Sequence, residues 1–170
     1  MCPCCGGKLR YRDRRQRVCK SYGGKKIWIM IRRMLCDRCS KLHEELPDIL
    51  VPYKHYKAEV IENVVDEVCT PDDLETEDYP CEKTMDRWKR WITRNTDQID
   101  GILKSVGHRY FEMSESLLRS KCSLLQELRR QGNGWLSICV KVILNSGGSL
   151  LGAFGGEASA PALSCCQESP

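Results

Sequence analysis

Cys2-Pro3-Cys4-Cys5-Gly6 and Cys36-Asp37-Arg38-Cys39 bracket the N-terminal part of the chain, and the reading of these two stretches decides its fold. Each contributes a Cys-x-x-Cys knuckle, Cys2 with Cys5 and Cys36 with Cys39. Two intervening residues let a tight turn aim both sulfurs at one ion, and two knuckles supply the four thiolates of a closed tetrahedral site. Zn2+ is therefore the expected cofactor, with Cys2, Cys5, Cys36 and Cys39 as ligands. Gly6 follows the first knuckle, where a turn often needs positive φ. The 30 residues between Cys5 and Cys36 exceed the roughly 15–20 of the commonest pattern, so a longer hairpin must fit between them. Cys4 and Cys19 are read as thiols outside the ligand set, although Cys4 is placed to exchange with a neighbour. His43 follows Cys39 by four residues. Four cysteines already satisfy a zinc, so His43 is read as packed on the ribbon edge.

Between the knuckles the residues read as strands. Lys8 to Arg12 alternates basic and apolar residues, the period of a half-buried strand. Ser21-Tyr22-Gly23-Gly24 reads as a turn, and Lys26 to Arg33 as a β-branched strand entering the second knuckle. Knuckle, hairpin, knuckle is a zinc ribbon. Residues 1–43 hold 13 Lys/Arg against two acids, Asp13 and Asp37. Such an excess on a small domain points to a polyanion, with Arg10, Arg12, Arg32 and Arg33 expected to hold phosphates.

A chain of 170 residues allows one ordinary domain or two small ones. Its 41% apolar and 29% charged content describes a soluble protein. The cysteine-rich N-terminus has no apolar signal core, and with knuckle spacing its 12 cysteines suit a reducing cytoplasm better than a secreted disulfide scaffold. Residues 58–82 carry ten acids and no Lys or Arg; their spacing reads as a solvated surface.

Leu46 to Tyr53 is a connector stiffened by Pro47 and Pro52. Val60, Ile61, Val64, Val65 and Val68 form one apolar helix face. Thr70-Pro71-Asp72-Asp73 reads as the start of a short second helix ending by Tyr79-Pro80. A third helix runs from Glu82 to Arg94, with Met85, Trp88 and Ile92 facing inward. Lys83, Arg87, Arg90 and Arg94 make its second, basic face. That succession suggests a helix-turn-helix unit whose third helix reads DNA. Lys83, Thr84 and Arg87 are expected to reach base edges, while Lys89, Arg90 and Arg94 hold phosphates.

A resemblance supports this. Cys2-Pro3-x-Cys5-Gly6, Ile29-x-Ile31-Arg32-Arg33-x-x-Cys36-x-x-Cys39-x-x-x-His43, Leu46-Pro47-x-x-Leu50-x-Pro52-Tyr53-Lys54-x-Tyr56 and Arg87-Trp88-x-x-Trp91 together resemble an uncharacterised bacterial family. Its members carry a zinc ribbon and helix-turn-helix like the front ends of insertion-sequence transposases. The resemblance covers about residues 1–94 and implies DNA binding linked to mobile elements. Where such recognition helices begin with Ser or Thr, this chain has Cys81.

Beyond it, Ile99, Ile102, Leu103 and Val106 form a stripe that Gly107-His108 should break. Leu117, Leu118, Leu124, Leu125 and Leu128 form another, a core or a homodimer seam. Trp135 to Leu144 is too short for a membrane span. The expected fold class is α+β, divided into a zinc ribbon (1–46), a helix-turn-helix (54–95), a helical region (96–144) and a disordered tail (145–170), where Cys165-Cys166 alone makes no closed metal site.

No carboxylate triad on a ribonuclease-H-like sheet finds room after residue 94, and no phosphate loop or nucleophile-base pattern stands out. The expected function is a zinc-dependent, non-catalytic, double-stranded-DNA-binding protein, working alone or beside a transposase partner. A protein-interaction adaptor and a thiol redox protein are the alternatives.

Overall fold

The computed structural model of the chain describes residues 1–77, 79–111 and 114–148. Strands β1 (Leu9–Lys20), β2 (Lys26–Cys36) and β3 (Leu42–Glu44) form an antiparallel sheet in the order β1-β2-β3. The β-branched and aromatic run Ile27 to Ile31 suits β2. The register joins Leu9 to Cys36 and Lys20 to Lys26, so the hairpin's open end carries both knuckles. A bulge between Tyr11 and Asp13 leaves Arg12 without a cross-strand partner.

One face of this hairpin is covered. Cys19 and Ile31 are buried with Leu50 of the connector, and Ile29 and Leu46 pack beside them. The connector is more than a spacer. Leu50 enters this sheet cluster while its neighbour Val51 enters the helical core, as alternating side chains of extended backbone do. Arg17, counted above with the basic residues, is buried and donates to the carbonyls of Val51 (2.6 Å) and Lys54 (2.8 Å). Lys20 N–H donates to His55 O at 2.6 Å and Lys57 N–H to Lys20 O at 2.9 Å. These bonds tie the hairpin's turn end to the first helix.

Helix α1 (Ala58–Val65) buries Val60, Ile61 and Val64 as its spacing predicts; Val68 lies past its end and is exposed. The expected second helix is not formed. Among the described residues of 66–81 the only helical element is the 3-10 turn Leu74–Thr76. Thr70 does not cap a helix: its N–H and hydroxyl donate to Asp73 Oδ2 at 2.5 and 3.1 Å, and the Thr76 hydroxyl donates to Thr70 O at 2.5 Å. Short polar side chains bonding nearby backbone compete with helix, and here they win.

Helix α2 (Glu82–Phe111) is 30 residues long and does not break at Gly107-His108. Its inward stripe of Met85, Trp88 and Ile92 continues through Asn95, Ile99 and Leu103. One glycine costs roughly 1 kcal/mol in a helix, less than a stripe of this length returns on burial. The helix therefore runs unbroken across residues 95 and 96. Helices α3 (Glu115–Arg119), α4 (Leu124–Arg130) and α5 (Trp135–Asn145) follow. Leu125 is buried and Leu124 and Leu128 pack inward, whereas Leu118 is exposed. Among the described residues no helix is long and apolar enough to cross a membrane. Residues 149–170, most of the expected tail, lie outside the described residues.

Two acids of the supposedly solvated run are internal anchors. Glu62, buried on α1, accepts the N–H of Gly134 and that of Leu136 (3.4 Å), satisfying the start of α5. Asp66 accepts from Arg129 Nε at 2.7 Å and Trp135 Nε1 at 2.6 Å. Burial raises the Glu62 carboxyl above its ordinary 4.5, against the N–H groups of Gly134, Leu136 and Trp135, which favour the carboxylate. Folding thus takes up a proton in the window above 4.5, and the group's contribution to stability falls as pH rises through that window. Glu62→Ala should cost about 1–3 kcal/mol by orphaning two N–H groups. In urea melts its gap to wild type should narrow between mildly acid and neutral pH; a widening gap would show the opposite linkage.

Candidate metal centre and basic surfaces

The hairpin register and two tight turns bring the four cysteines together. Cys2, Cys5, Cys36 and Cys39 present sulfurs that all lie within 4.8 Å of one another. Cys2 and Cys39 sulfurs are 3.7 Å apart, and those of Cys5 and Cys36 3.5 Å apart. Tetrahedral Zn–S bonds of about 2.3 Å place sulfurs about 3.8 Å apart, so the spacing fits a metal ion. Disulfide sulfurs would stand about 2.05 Å apart, and these do not. Each knuckle is a closed turn: Gly6 N–H donates to Cys2 O at 2.8 Å and Ser40 N–H to Cys36 O at 3.0 Å. Gly6 has the anticipated positive φ of 70°. Gly7 serves close approach, because a β-carbon there would lie 2.9 Å from Cys36 Sγ.

The N–H groups of Cys39 and Arg38 point at Cys36 Sγ and pull that thiol down to about 6. Cys39 receives help from Lys41 N–H, but burial and the sulfurs of Cys36, Cys5 and Cys2 push it up to about 12. Thiolates this close cannot all ionise without a cation between them, which is what a metal supplies. Cys19 stays apart from the centre, in the sheet cluster. His43 does not. Its Nε2 lies 3.3 Å from Cys2 Sγ, and Cys2, Cys4 and His43 make a second group of potential ligands. Cys-x-x-Cys-x-x-x-His was the signal for it, set aside because four cysteines suffice.

The ribbon arginines are mostly paired. Arg10 meets Asp37 at 2.9 Å, Arg12 meets Asp13 at 3.8 Å and Arg32 meets Glu45 at 2.6 Å, all with exposed guanidinium groups. Arg33 is more enclosed and grips Asp13 with two bonds of 2.5 Å, which hold that carboxyl below its usual range. Arg14 is exposed and has no acidic partner among the described residues.

On α2, Lys83, Arg87, Arg90 and Arg94 are exposed and form no ion pair among the described residues. Thr84 is half-buried, with its hydroxyl 3.3 Å from Cys81 Sγ and 3.1 Å from an Arg87 nitrogen. Cys81 occupies the cap position, its carbonyl accepting from Thr84 and Met85 N–H. Lys89 leaves this face and pairs with Glu67 at 3.1 Å. Near the basic face, Lys54 lies 4.6 Å over the Trp91 ring. Burial, then Arg87, lowers its ammonium to about 8.

A model of the family described as a domain of unknown function, DUF6431, matches residues 2–88. The chain belongs to that family. The DUF6431 match takes in the four cysteines, the whole sheet, α1 and α2 as far as Trp88; the rest of α2 and α3 to α5 lie beyond it. No curated protein and no solved structure matches this DUF6431 chain.

Proposed function

We propose that this chain is a zinc-dependent, non-catalytic double-stranded-DNA-binding protein of the kind found at the front of insertion-sequence transposases. The observation that carries it is the basic face of α2. Lys83, Arg87, Arg90 and Arg94 share one exposed face, bordered by Asp86 and Asp97, and none of the four forms an ion pair among the described residues. Clustered unpaired cations repel one another, and a polyanion relieves that repulsion. Zinc at the four cysteines shapes the hairpin beside the connector. A tight helix-turn-helix is not required, because α1 and the 66–81 loop still brace α2. Lys83 and Arg87, near the N-terminus of α2, are the base readers in this reading, and Arg90 and Arg94 the phosphate holders.

Magnitudes divide the ribbon arginines. Exposed ion pairs are worth about 0–1 kcal/mol, so Arg10, Arg12 and Arg32 can exchange their acids for phosphates. Arg33 joins the strands instead. The test is fluorescence anisotropy on duplexes selected from a random pool, across a salt series. Arg94→Ala should lower the log–log salt slope by about 0.9. Arg87→Ala should weaken discrimination at one base pair by roughly 1–3 kcal/mol. Arg33→Ala should leave the slope unchanged. Equal binding by wild type and an Arg87→Ala/Arg90→Ala/Arg94→Ala chain overturns the reading.

A second reading, a protein-docking adaptor, is favoured by the sheet's outer face, where Trp28 is 64% and Met30 54% exposed. Capture of a protein with no DNA affinity would select it.

A further inference from the structure

We propose that Cys2, Cys4 and His43 form a second site for a thiophilic divalent ion, bridged to the four-cysteine centre through the Cys2 sulfur. The proposal rests on the four-cysteine reading of the first site. Its ligand atoms, two sulfurs and one imidazole nitrogen, lie within 4.8 Å of one another. The Cys2 Sγ to His43 Nε2 distance is 3.3 Å. Two ligands of one tetrahedral zinc, with bonds of about 2.3 Å to sulfur and about 2.0 Å to nitrogen, stand about 3.5 Å apart. The observed spacing therefore fits co-ligands.

Chain geometry supplies these three donors. Cys2 and Cys4 flank Pro3 in the first knuckle. His43 sits on β3, opposite Met34, so the strand pairing delivers its ring to the same end of the sheet. Cys4 is exposed, in contrast to buried Cys2 and Cys36. Cys4 and His43 both line a cavity of about 850 Å³ between sheet and helices, whose charged lining is mixed: Glu44 pairs with Arg15 and Asp48 with Lys141. Three protein ligands leave one coordination position, and this cavity gives water or a small ligand room to fill it. The charge also favours a second cation. Four thiolates outweigh one divalent ion, and sharing Cys2 with a second ion spreads that excess. The first centre is closed and structural; the second is open and more exposed.

The full chain, stripped of metal under reducing conditions, is loaded with Zn2+ or Co2+ and passed through gel filtration. Wild type should retain about two equivalents and Cys4→Ala/His43→Ala about one, with unchanged circular dichroism. The second Co2+ equivalent should add bands that shift with free imidazole, which enters the open position. One equivalent in both chains, or a second that washes off, overturns the second site and leaves the first standing. No retained metal in either chain overturns both. Should the double variant misfold, Cys4→Ser replaces it: an unchanged two-ion spectrum in that variant overturns the proposal.

Discussion

Replacing Cys36 and Cys39 together by serine should abolish metal retention at the four-cysteine centre and unravel the knuckle end of the sheet. Zinc contributes on the order of 10–16 kcal/mol of apparent folding free energy to small finger peptides. The knuckle end has little else. The buried apolar cluster of the sheet, Cys19, Ile31 and Leu50, lies toward the turn end, and the helical core lies beyond it. The loss should therefore be local. Amide exchange in the double variant should accelerate at Leu35 and at Asp37, whose N–H donates to Lys8 O. Lys20, whose N–H donates to His55 O, and Lys57, whose N–H donates to Lys20 O, should stay protected. Chelation of wild type should give the same pattern. Unchanged protection at Leu35 and Asp37 would show that the thiols are structural without an ion.

Trp135→Ala should be the most damaging single change in the helical part, lowering stability by about 3–5 kcal/mol. Trp135 is 1% exposed at the start of α5. Its Nε1–H donates to Asp66 at 2.6 Å and Arg129 lies 5.4 Å over its ring. Truncation opens a large cavity and leaves Asp66 with one partner fewer. The denaturation midpoint should fall steeply, with metal stoichiometry unchanged because the knuckles do not touch this residue. A drop below about 1 kcal/mol would mean that α5 is not part of the cooperative core.

Both outcomes separate local from distant determinants. Knuckle spacing and period-two alternation act over a few residues. So the four cysteines, the long hairpin and the Met85, Trp88, Ile92 stripe were legible before any coordinates. The family match over residues 2–88 agrees with the span where the residue pattern was densest.

What distant partners decide was not legible. Glu62 and Asp66 look like surface acids in a charged run. Their role comes from N–H groups 72 and 69 residues away. Arg17 is one arginine among many until Val51 and Lys54 carbonyls close over it. Thr70 and Pro71 fit a helix start, yet local side-chain bonds and the lack of an apolar face left a loop. Gly107 fits a break, but the packed stripe carried α2 through it. His43 was surplus by count until β3 paired with β2 and set its ring beside Cys2. Spacing names which residues have the right chemistry; burial and long-range hydrogen bonds choose among them, because an unpaired buried polar group costs more than a local preference returns.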